Sequence, residues 1–503
     1  GDVYKRQALN NLETFMAYSC MTSASEFLSV SFYSSDIKGT TYQPSEIVLQ
    51  CKKVFKNIIA YDKFDFDGKK ESMYALRPAF DTVADMIGKG EKVPESLLEI
   101  FAQNPEYSAK LDSLINAKDK VPFKIFDKKN AEMLFGKNLN ISASQLEKFN
   151  LCRFSYFCNY GLNVRERQRA EINPMQYGTI VHYILERFFG EYTKEEYLSL
   201  EEDKFQKIVC AYLAEYAVKY FGEEQLESNS FTYRLKTILD NVMYLMKHIM
   251  EELSQSEFFV ADCELKIGED IPSYTIVLPD GHKIAVCGSV DRVDIMQRAD
   301  ITYLRIIDYK TGTKQFKLSD ILYGINLQML LYLHSIEASG GDKYGEIVPA
   351  GILYMPATVP YISSDSLKSI DKLPDELNKK LKMNGLLLKD TEIIHGMDKT
   401  DVATYIPVKI KAGEPVSSTS LATLAEFGKI FKKVDMLIAE MGKNIYNGNI
   451  EAKPLKGGHD SCEYCPYDSV CAYRQSNPIT CFSVDNKTVI EEITNEINGK
   501  EEE

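Results

Sequence analysis

Hydrophobic residues follow a helical period in the middle of the chain. Between residues 178 and 192, apolar side chains recur every three or four positions, at Val181, Ile184, Leu185 and Phe188. This spacing predicts a helix with one buried face. His182 and Glu186 lie one turn apart beside that face.

Three further helices are predicted from capping and periodicity. Ser142 stands ahead of an apolar-periodic run, which is typical of a helix N-cap, and the helix it starts carries Cys152 near its end. Helical periods also cover residues 318–336 and about 419–446.

The period changes to two from about residue 258, which predicts a sheet. The first strand places residues alternately on two sides, with Phe259, Ala261, Cys263 and Leu265 on one and Asp262, Glu264 and Lys266 on the other. A Pro-Asp-Gly turn at 279–281 predicts a hairpin. Extended runs then lead into 288–294 and cover 303–310.

The remaining pattern suggests domain boundaries. Residues 1–138 alternate helical and extended patterns and end in a polar stretch, so we predict a domain break there and a second domain over 139–480. Segments 340–346 and about 375–418 are predicted as loops or an insertion, and 481–503 as a polar, frayed tail. The alternation as a whole predicts an α/β protein.

Composition describes an ordinary globular chain. The 503 residues are 45% hydrophobic and 26% charged, with no apolar run near the ~20 residues of a membrane helix and no signal peptide. We therefore expect a soluble, cytoplasmic protein. Because the chain begins Gly1-Asp2-Val3 without an initiator methionine, we expect it to be part of something longer.

The net charge of −14 argues against a protein coated with nucleic acid. It does not exclude a nuclease, because such a site is itself a cluster of carboxylates bridged to phosphate by metal. Arg165, Arg167 and Arg169 form a local basic path for DNA, or equally a solvated helix face.

The sharpest chemical pattern is Asp291 followed by Asp308-Tyr309-Lys310. On a strand, positions 308 and 310 point to the same face, and a neighbouring strand ending at Asp291 brings a second carboxylate beside the first. Two carboxylates so placed repel unless a divalent cation such as Mg²⁺ or Mn²⁺ lies between them. Lys310 can then orient the attacking water and offset phosphate charge, so the pattern predicts a hydrolytic site.

Four other residues join this pattern in a fixed order. His182 follows a glycine by one helical turn, Glu264 lies on a polar strand face, and Gln328 and Tyr332 lie one turn apart on a later helix. Each has an ordinary structural interpretation: core histidine, surface acid or core-edge tyrosine.

As a set, these motifs resemble the RecB-type branch of the PD-(D/E)xK nucleases, which have a central mixed sheet flanked by helices. The matching motifs are Gly178-x3-His182, Glu264, Gly288-x2-Asp291-Arg292-x-Asp294, Asp308-Tyr309-Lys310-x-Gly312 and Gln328-x3-Tyr332. The resemblance implies a DNA exonuclease in which His182, Asp291 and Asp308 bind metal beside Glu264. It also implies that Lys310 is catalytic and that Gln328 and Tyr332 position DNA.

Cysteines supply an independent signal. Eleven cysteines in such a chain suggest thiols or metal ligands rather than disulfides. Cys462-x2-Cys465-x5-Cys471 places three within ten residues, and Cys152 is a candidate fourth. Spacing alone leaves zinc and iron–sulfur open. The others have no usable spacing and are expected to be small buried hydrophobes: Cys20, Cys51, Cys158, Cys210, Cys263, Cys287 and Cys481.

The one-plus-three cysteine arrangement and most of residues 141–474 resemble the AddB family, whose members pair with AddA proteins in AddAB helicase/nucleases. This resemblance implies a 4Fe-4S cluster that joins the ends of the nuclease domain. It also implies an AddA-type helicase/nuclease partner, and cleavage of single-stranded DNA, the 5′-ended strand, during double-strand break processing.

Upstream, Met21 to Ser25, Leu28 to Ser31 and Gly39 to Ser45 resemble the end of a superfamily 1 helicase domain. Ser23 stands where active helicases carry an arginine, which implies a degenerate motor. No Gly-x4-Gly-Lys-Ser/Thr loop occurs, so we expect no P-loop ATP site in this stretch.

Three other functional classes share part of this pattern. Lys310-Thr311-Gly312 and Ser369-x2-Lys372 match penicillin-binding motifs, but their order is reversed and no signal peptide is present. A stand-alone CRISPR-associated-type Fe-S exonuclease shares the site but lacks the helicase-like stretch. A catalytically silent DNA-binding scaffold would not need Asp291, Asp308 and Lys310 together.

Overall fold

The computed structural model describes most of the chain. The described residues are 2–33, 41–55, 57–58, 73–89, 91–116, 124–165, 174–222, 229–312, 315–360, 373–400, 402–411, 414–416, 419–471, 473 and 478–501. Outside this set lie Arg167, Arg169, Ser369, Lys372 and the first residues of the stretch that begins at Gly39. None of the described helices combines the length and apolar character that crossing a bilayer would require.

The chain divides into two units, Gly1–Lys120 and Val121–Glu503. The predicted break near residue 138 therefore comes later in the chain than the structural division. The first unit has these helices among its described residues: α1 (Asp2–Thr22), α2 (Glu46–Val54), α3 (Leu76–Lys89), α4 (Glu95–Gln103) and α5 (Ser108–Asn116). Its small core is built around Phe80, Phe101 and Tyr107, whose ring centres lie 4.9 to 5.5 Å apart. Its helicase-like assignment stays a prediction.

The second unit begins with helices and a short strand. In order these are α6 (Lys128–Phe135), β1 (Asn138–Ile141), α7 (Ala143–Leu151), α8 (Arg153–Tyr156), α9 (Pro174–Glu191), α10 (Lys194–Leu198), α11 (Glu202–Phe221) and α12 (Asn229–Gln255). Ser142 and Gln145 form a reciprocal capping box at the start of α7, and Cys152 is its C-cap, as predicted. The four apolar positions predicted for the buried face of α9 are at most 1% exposed.

The strands and later helices follow. They are β2 (Phe259–Ile267), β3 (Thr275–Val277), β4 (Lys283–Val286), β5 (Gly288–Arg298), β6 (Ile301–Lys310), α13 (Gln328–Ser339), α14 (Gly341–Tyr344), β7 (Glu346–Pro356), α15 (Leu373–Leu381), β8 (Asn384–Leu388), α16 (Thr391–Met397), β9 (Lys409–Lys411), β10 (Glu414–Val416), β11 (Leu421–Ala422), α17 (Leu424–Tyr446), β12 (Leu455–Gly457), β13 (Ile479–Cys481) and α18 (Asn486–Glu501). A 3-10 turn spans Leu318–Tyr323, where the sequence predicted the start of a longer helix.

Six strands form the central sheet in the order β11-β8-β7-β6-β5-β2. The pairs β2–β5, β5–β6 and β7–β8 are antiparallel, whereas β6–β7 and β8–β11 are parallel. The sheet is therefore mixed, as expected. Helix α9 packs on β2, α11 and α12, while α13 packs on β6, β7 and α17. The predicted hairpin is also present, with β3 antiparallel to β4 in a smaller sheet with β1.

Three regions predicted as irregular contain ordered elements, and the first of them, 340–346, contains α14. Segment 375–418 contains β8, a strand of the central sheet. Its apolar run from Leu386 to Leu388 is buried on both faces of the sheet. The run therefore lacks the period of two by which a strand is recognised, and the sequence did not predict it. The predicted tail, 481–503, contains the last residue of β13 and all of α18. Val489, Ile493 and Ile497 recur every fourth residue and are buried where α18 packs against α17.

The register of β5 and β6 positions the site. Asp294 pairs with Arg305 and Arg292 with Ile307. Continuing this antiparallel register by one residue places Asp291 opposite Asp308. Because side chains alternate along a strand, these two carboxylates point to the face opposite Arg292 and Asp294.

Candidate functional site

Three side chains from three elements converge at the edge of the sheet: His182 of α9, Glu264 of β2 and Asp291 of β5. Nδ1 of His182 lies 3.0 Å from Oε1 of Glu264, and Nε2 lies 3.7 Å from Oδ2 of Asp291. One ligand atom from each residue lies within 4.8 Å of the others. One imidazole and two carboxylates so close together fit a divalent cation.

The backbone of β2 is distorted to bring Glu264 into the site. The register passes from Cys263↔Arg292 to Leu265↔Val290, so Glu264 lies opposite Asp291. Its φ is 51°, a left-handed conformation that costs a non-glycine residue about 1–2 kcal/mol. A bulge also interrupts the strand between Val260 and Asp262, so the predicted alternation is clear only from Leu265 onward.

Asp308 and Lys310 project from β6 beside these three residues. Lys310 Nζ lies 2.6 Å from Oδ2 of Asp308, and Gln328 Nε2 donates a 3.0 Å hydrogen bond to Oδ1. The backbone N–H of Tyr309 donates to Asp291 Oδ2 at 2.9 Å, which links the two strands. Asp308 therefore lies beside the group of three, held by Lys310 and Gln328.

Protonation in the site reflects its excess of carboxylates. Burial and the neighbouring Asp308 raise the pKa of Asp291 to about 7. Burial opposes the charged form of His182, but its hydrogen bond to Glu264 and the nearby Asp291 outweigh this and raise its pKa to about 9. Burial likewise opposes charge on Glu264, while hydrogen bonds from His182 and Ser289 lower its pKa. A proton on His182 thus supplies the positive charge that a metal ion would bring.

Gln328 and Tyr332, the residues expected to position DNA, contact the protein itself. Gln328 binds Asp308, whereas Tyr332 is 6% exposed and covers Gly288. A Cβ at residue 288 would lie 2.3 Å from Oη of Tyr332, so this close approach requires glycine.

Two partners of the site were not anticipated. The Ser289 hydroxyl donates to Glu264 Oε2 at 2.8 Å, and the Tyr354 ring lies 5.8 Å from Lys310 Nζ. Ser289 stands two positions before Asp291, so strand parity alone could have indicated it. Tyr354 lies on β7, a strand the sequence did not predict.

An open cleft of about 1060 Å³ leads away from these residues. The residues that line it include His182, Glu264 and Lys310 together with Tyr183, Tyr216 and Tyr220.

The opposite face of β5 and β6 holds a buried ion network. Arg292 and Arg305 each contact both Asp294 and Glu252, at distances from 2.5 to 3.0 Å, and all four side chains are fully buried. Glu252 comes from α12, so the network ties this helix to the two strands of the site.

The cysteines from the two ends of the second unit meet. Cys152 packs in one apolar cluster with Cys465, Cys471 and a further residue, Cys158. Cys462 lies close enough to Cys471 to influence its pKa. Burial raises the pKa of Cys152, and Cys471 and Cys465 add to the shift. The structure thus brings thiols from distant segments together, as metal binding by soft donors would require. Cys158 is buried, as predicted for a small hydrophobe, whereas the same prediction is wrong for Cys20, which is exposed.

Other contacts also connect these ends. The Tyr467 hydroxyl donates to the backbone oxygen of Val164 at 2.7 Å, and Tyr446 donates to Gly136 O at 3.1 Å. Ile125 N donates to Gly448 O at 2.8 Å. The start and end of the unit are therefore in contact around the cysteines.

Comparisons with known proteins agree with this geometry. Similar curated proteins are each named as the B component of an ATP-dependent helicase/deoxyribonuclease. They include those of Clostridium botulinum strain Loch Maree (33% identical over 486 residues), Clostridium acetobutylicum (31% over 500) and Thermoanaerobacter sp. strain X514 (30% over 486). The alignments cover 92–93% of this chain and 42% of each relative, so the chain spans less than half the relatives' length. These names confirm the resemblance inferred from the motifs. A model of the PD-(D/E)XK nuclease superfamily matches residues 140–472, and the chain belongs to that superfamily.

Proposed function

We propose that the protein is the nuclease-bearing part of the B component of a helicase/nuclease complex, and that it hydrolyses DNA with Mg²⁺ or Mn²⁺. The observation that carries this proposal is the convergence of His182, Glu264 and Asp291 beside the Asp308–Lys310 pair. Of these residues, His182, Glu264 and Lys310 line an open cleft.

Each residue has a role that follows from its position. His182, Glu264 and Asp291 would hold the cation, with Asp308 beside them, and the bound cation would polarise the scissile phosphate. Lys310 places an ammonium group next to Asp308, where it can orient the attacking water and offset charge on the phosphate. Gln328 positions Asp308, and Tyr332 fixes the start of β5 through Gly288.

The relatives' names, each a B component of an ATP-dependent helicase/deoxyribonuclease, support a partner subunit. We propose that this partner is an AddA-type motor that separates strands and delivers single-stranded DNA. We propose that the 5′-ended strand is cut during double-strand break processing, and that residues before 139 belong to a degenerate helicase-like domain.

The direct test is cleavage of end-labelled single-stranded DNA in Mg²⁺ by the protein assembled with a nuclease-dead partner. We expect the parent to cut and Asp308→Ala to fall to background. Asp300→Ala is the matched control, because Asp300 is exposed in the turn joining β5 to β6 and should leave cutting unchanged. The alternative outcome is that neither the parent nor Asp308→Ala cuts, although both are folded, retain their cysteine-bound metal and are supplied with Mg²⁺. This outcome would favour a catalytically silent DNA-binding scaffold.

We further propose that Cys152, Cys462, Cys465 and Cys471 hold a 4Fe-4S cluster. The meeting of Cys152 with Cys465 and Cys471 supports this proposal. Such a cluster would close a loop that spans nearly the whole unit, and its binding free energy would contribute to folding.

Cys158 provides the matched control for the cluster. Cys152→Ser should abolish the brown chromophore, reduce the bound iron and lower the midpoint of thermal unfolding. Cys158→Ser, which removes a thiol from the same apolar cluster, should retain both iron and chromophore. Zinc instead of iron in the purified parent would contradict the proposal, and loss of the chromophore from Cys158→Ser alone would assign a different ligand set.

A further inference from the structure

Three tyrosines line the same cleft as His182 and Glu264, two of the proposed cation ligands. Tyr183 follows His182 directly on α9, and Tyr216 and Tyr220 lie one turn apart on α11, which packs against α9. All three line the cleft together with His182 and Lys310. We call Tyr183, Tyr216 and Tyr220 the tyrosine ladder.

The rings of the ladder are in contact. The centres of Tyr183 and Tyr216 lie 5.2 Å apart, and those of Tyr216 and Tyr220 lie 4.4 Å apart with their planes 32° from parallel. The Tyr183 hydroxyl donates a 2.7 Å hydrogen bond to Glu215 Oε1. Tyr183 and Tyr216 are therefore held in place, and Tyr220 rests on a fixed ring.

Core packing explains only part of the ladder. Tyr216 is 5% exposed and belongs to the core, whereas Tyr220 is 55% exposed. The Lys219 ammonium lies 5.2 Å from the centre of the Tyr220 ring, on a flexible side chain that a ligand can displace. The ring, stacked on a buried one and more than half exposed, can therefore offer a surface to a flat ligand.

The charges of the cleft do not favour a purely electrostatic ligand site. Besides His182 and Lys310, the lining includes Lys266 but also Glu186 and Glu264. Lys266 is paired with Glu269 at 3.1 Å. Attraction of the phosphate backbone is therefore partly cancelled, and a strand held here needs another source of affinity. Stacking of bases on aromatic side chains supplies it without dependence on sequence.

We infer that the tyrosine ladder is a base-stacking subsite that holds single-stranded DNA while its backbone reaches the metal-binding residues. This inference rests on the proposed nuclease function and deepens it. A subsite that reads only the flat face of a base is insensitive to sequence, which suits an enzyme that degrades whatever strand is delivered. The inference also predicts that loss of one base slows cutting when that base lies at a fixed distance from the scissile bond.

The first measurement is the dissociation constant for an oligothymidylate in Ca²⁺, with the full protein and its partner subunit. Tyr220→Ala should weaken binding about tenfold, whereas Tyr220→Phe should bind like the parent because it keeps the ring. Tyr233→Ala is the matched control, since Tyr233 is 73% exposed but does not line the cleft. Equal binding by Tyr220→Ala and the parent, with equal unfolding midpoints, would overturn the subsite.

The second measurement uses oligonucleotides with one abasic site moved stepwise along the strand, cut in Mg²⁺. The parent should cut more slowly when the abasic site occupies one particular position relative to the scissile bond, and Tyr220→Ala should lose that dependence. The same abasic profile in both proteins would contradict the ladder while leaving the nuclease intact. If the parent neither cuts nor binds single-stranded DNA, the proposed nuclease function is wrong, and the base-stacking role of the ladder is wrong as well.

Discussion

The two faces of strands β5 and β6 carry charged side chains in opposite states of balance. On one face, Arg292 and Arg305 neutralise Asp294 and Glu252 in a fully buried network. On the other, the positive partners that the described residues give to Asp291, Asp308 and Glu264 are Lys310 and a protonated His182. Neighbouring residues of the same strands thus differ in whether their charge is satisfied within the protein.

The difference separates carboxylates that stabilise the fold from carboxylates available to bind a cation. Burial alone would raise the pKa of Asp294, but the two arginines outweigh it and lower the pKa. Burial of Asp291 is not offset in this way, and its pKa rises to about 7. A carboxylate that the fold leaves uncompensated is one that a cation can stabilise.

The largest effect should come from breaking the balanced face. Asp294→Asn leaves two buried arginines with one carboxylate, and removing one partner of such a network costs about 3–5 kcal/mol. We expect a lower midpoint of thermal unfolding for the second unit, with or without Mg²⁺. A change within error would mean that the network is not a stability element.

Asp291→Asn should act in the opposite direction. A carboxyl whose pKa is higher in the folded than in the unfolded protein costs stability above its unfolded value, and this cost grows as the pH rises toward about 7. In EDTA at neutral pH we expect Asp291→Asn to gain on the order of 1 kcal/mol. Cutting and the Mg²⁺-induced rise in unfolding temperature should both be lost. If Asp291→Asn destabilised the protein as much as Asp294→Asn, the two faces would not differ in charge balance as proposed.

The smallest effect concerns the proton on His182. Its pKa of about 9 in the metal-free protein means that its favourable interactions are fully present below about pH 6.5 and are lost as the pH rises through about 9. Glu264→Gln removes a hydrogen-bonded charge and should move this pKa down toward the ordinary value. Mg²⁺ should displace the proton, so apparent affinity should increase with pH.

An NMR titration of the six histidines would measure this shift, with His182→Gln identifying the resonance. His334 is the internal control. Burial opposes its charge, but Asp435 and Glu337 outweigh this and raise its pKa to about 9, far from the Glu264 substitution in the chain. Movement of both resonances would indicate a global change rather than loss of one partner.

Much of the fold could be predicted because its signals are local. The buried face of α9, the capping box of α7 and the hairpin of β3 and β4 each depend on residues within a few positions of one another. β8 escaped prediction because a strand buried on both faces has no polar alternation, and α18 because three apolar residues among many polar ones look like a tail.

The candidate site was partly readable for the same reason. Strand parity indicated that Asp308 and Lys310 share a face and that Asp291 joins them. It could not indicate the left-handed backbone at Glu264, the position of Cys158 beside Cys152, or the position of the tyrosine ladder in the same cleft as His182 and Glu264. Each of these depends on packing between segments far apart in the chain.

The sequence by itself determined which chemical groups are available and which face of its strand each one occupies. Only the tertiary structure decided which carboxylates remain unbalanced. Asp291, Arg292 and Asp294 are neighbours in the chain. On one face, Glu252 and Arg305 complete a network in which positive and negative charges balance. On the other, Glu264 joins Asp291 and Asp308, and the carboxylates outnumber the positive charges of His182 and Lys310. Charge balance is a sum over contacts between distant segments, so it becomes defined only when those segments pack.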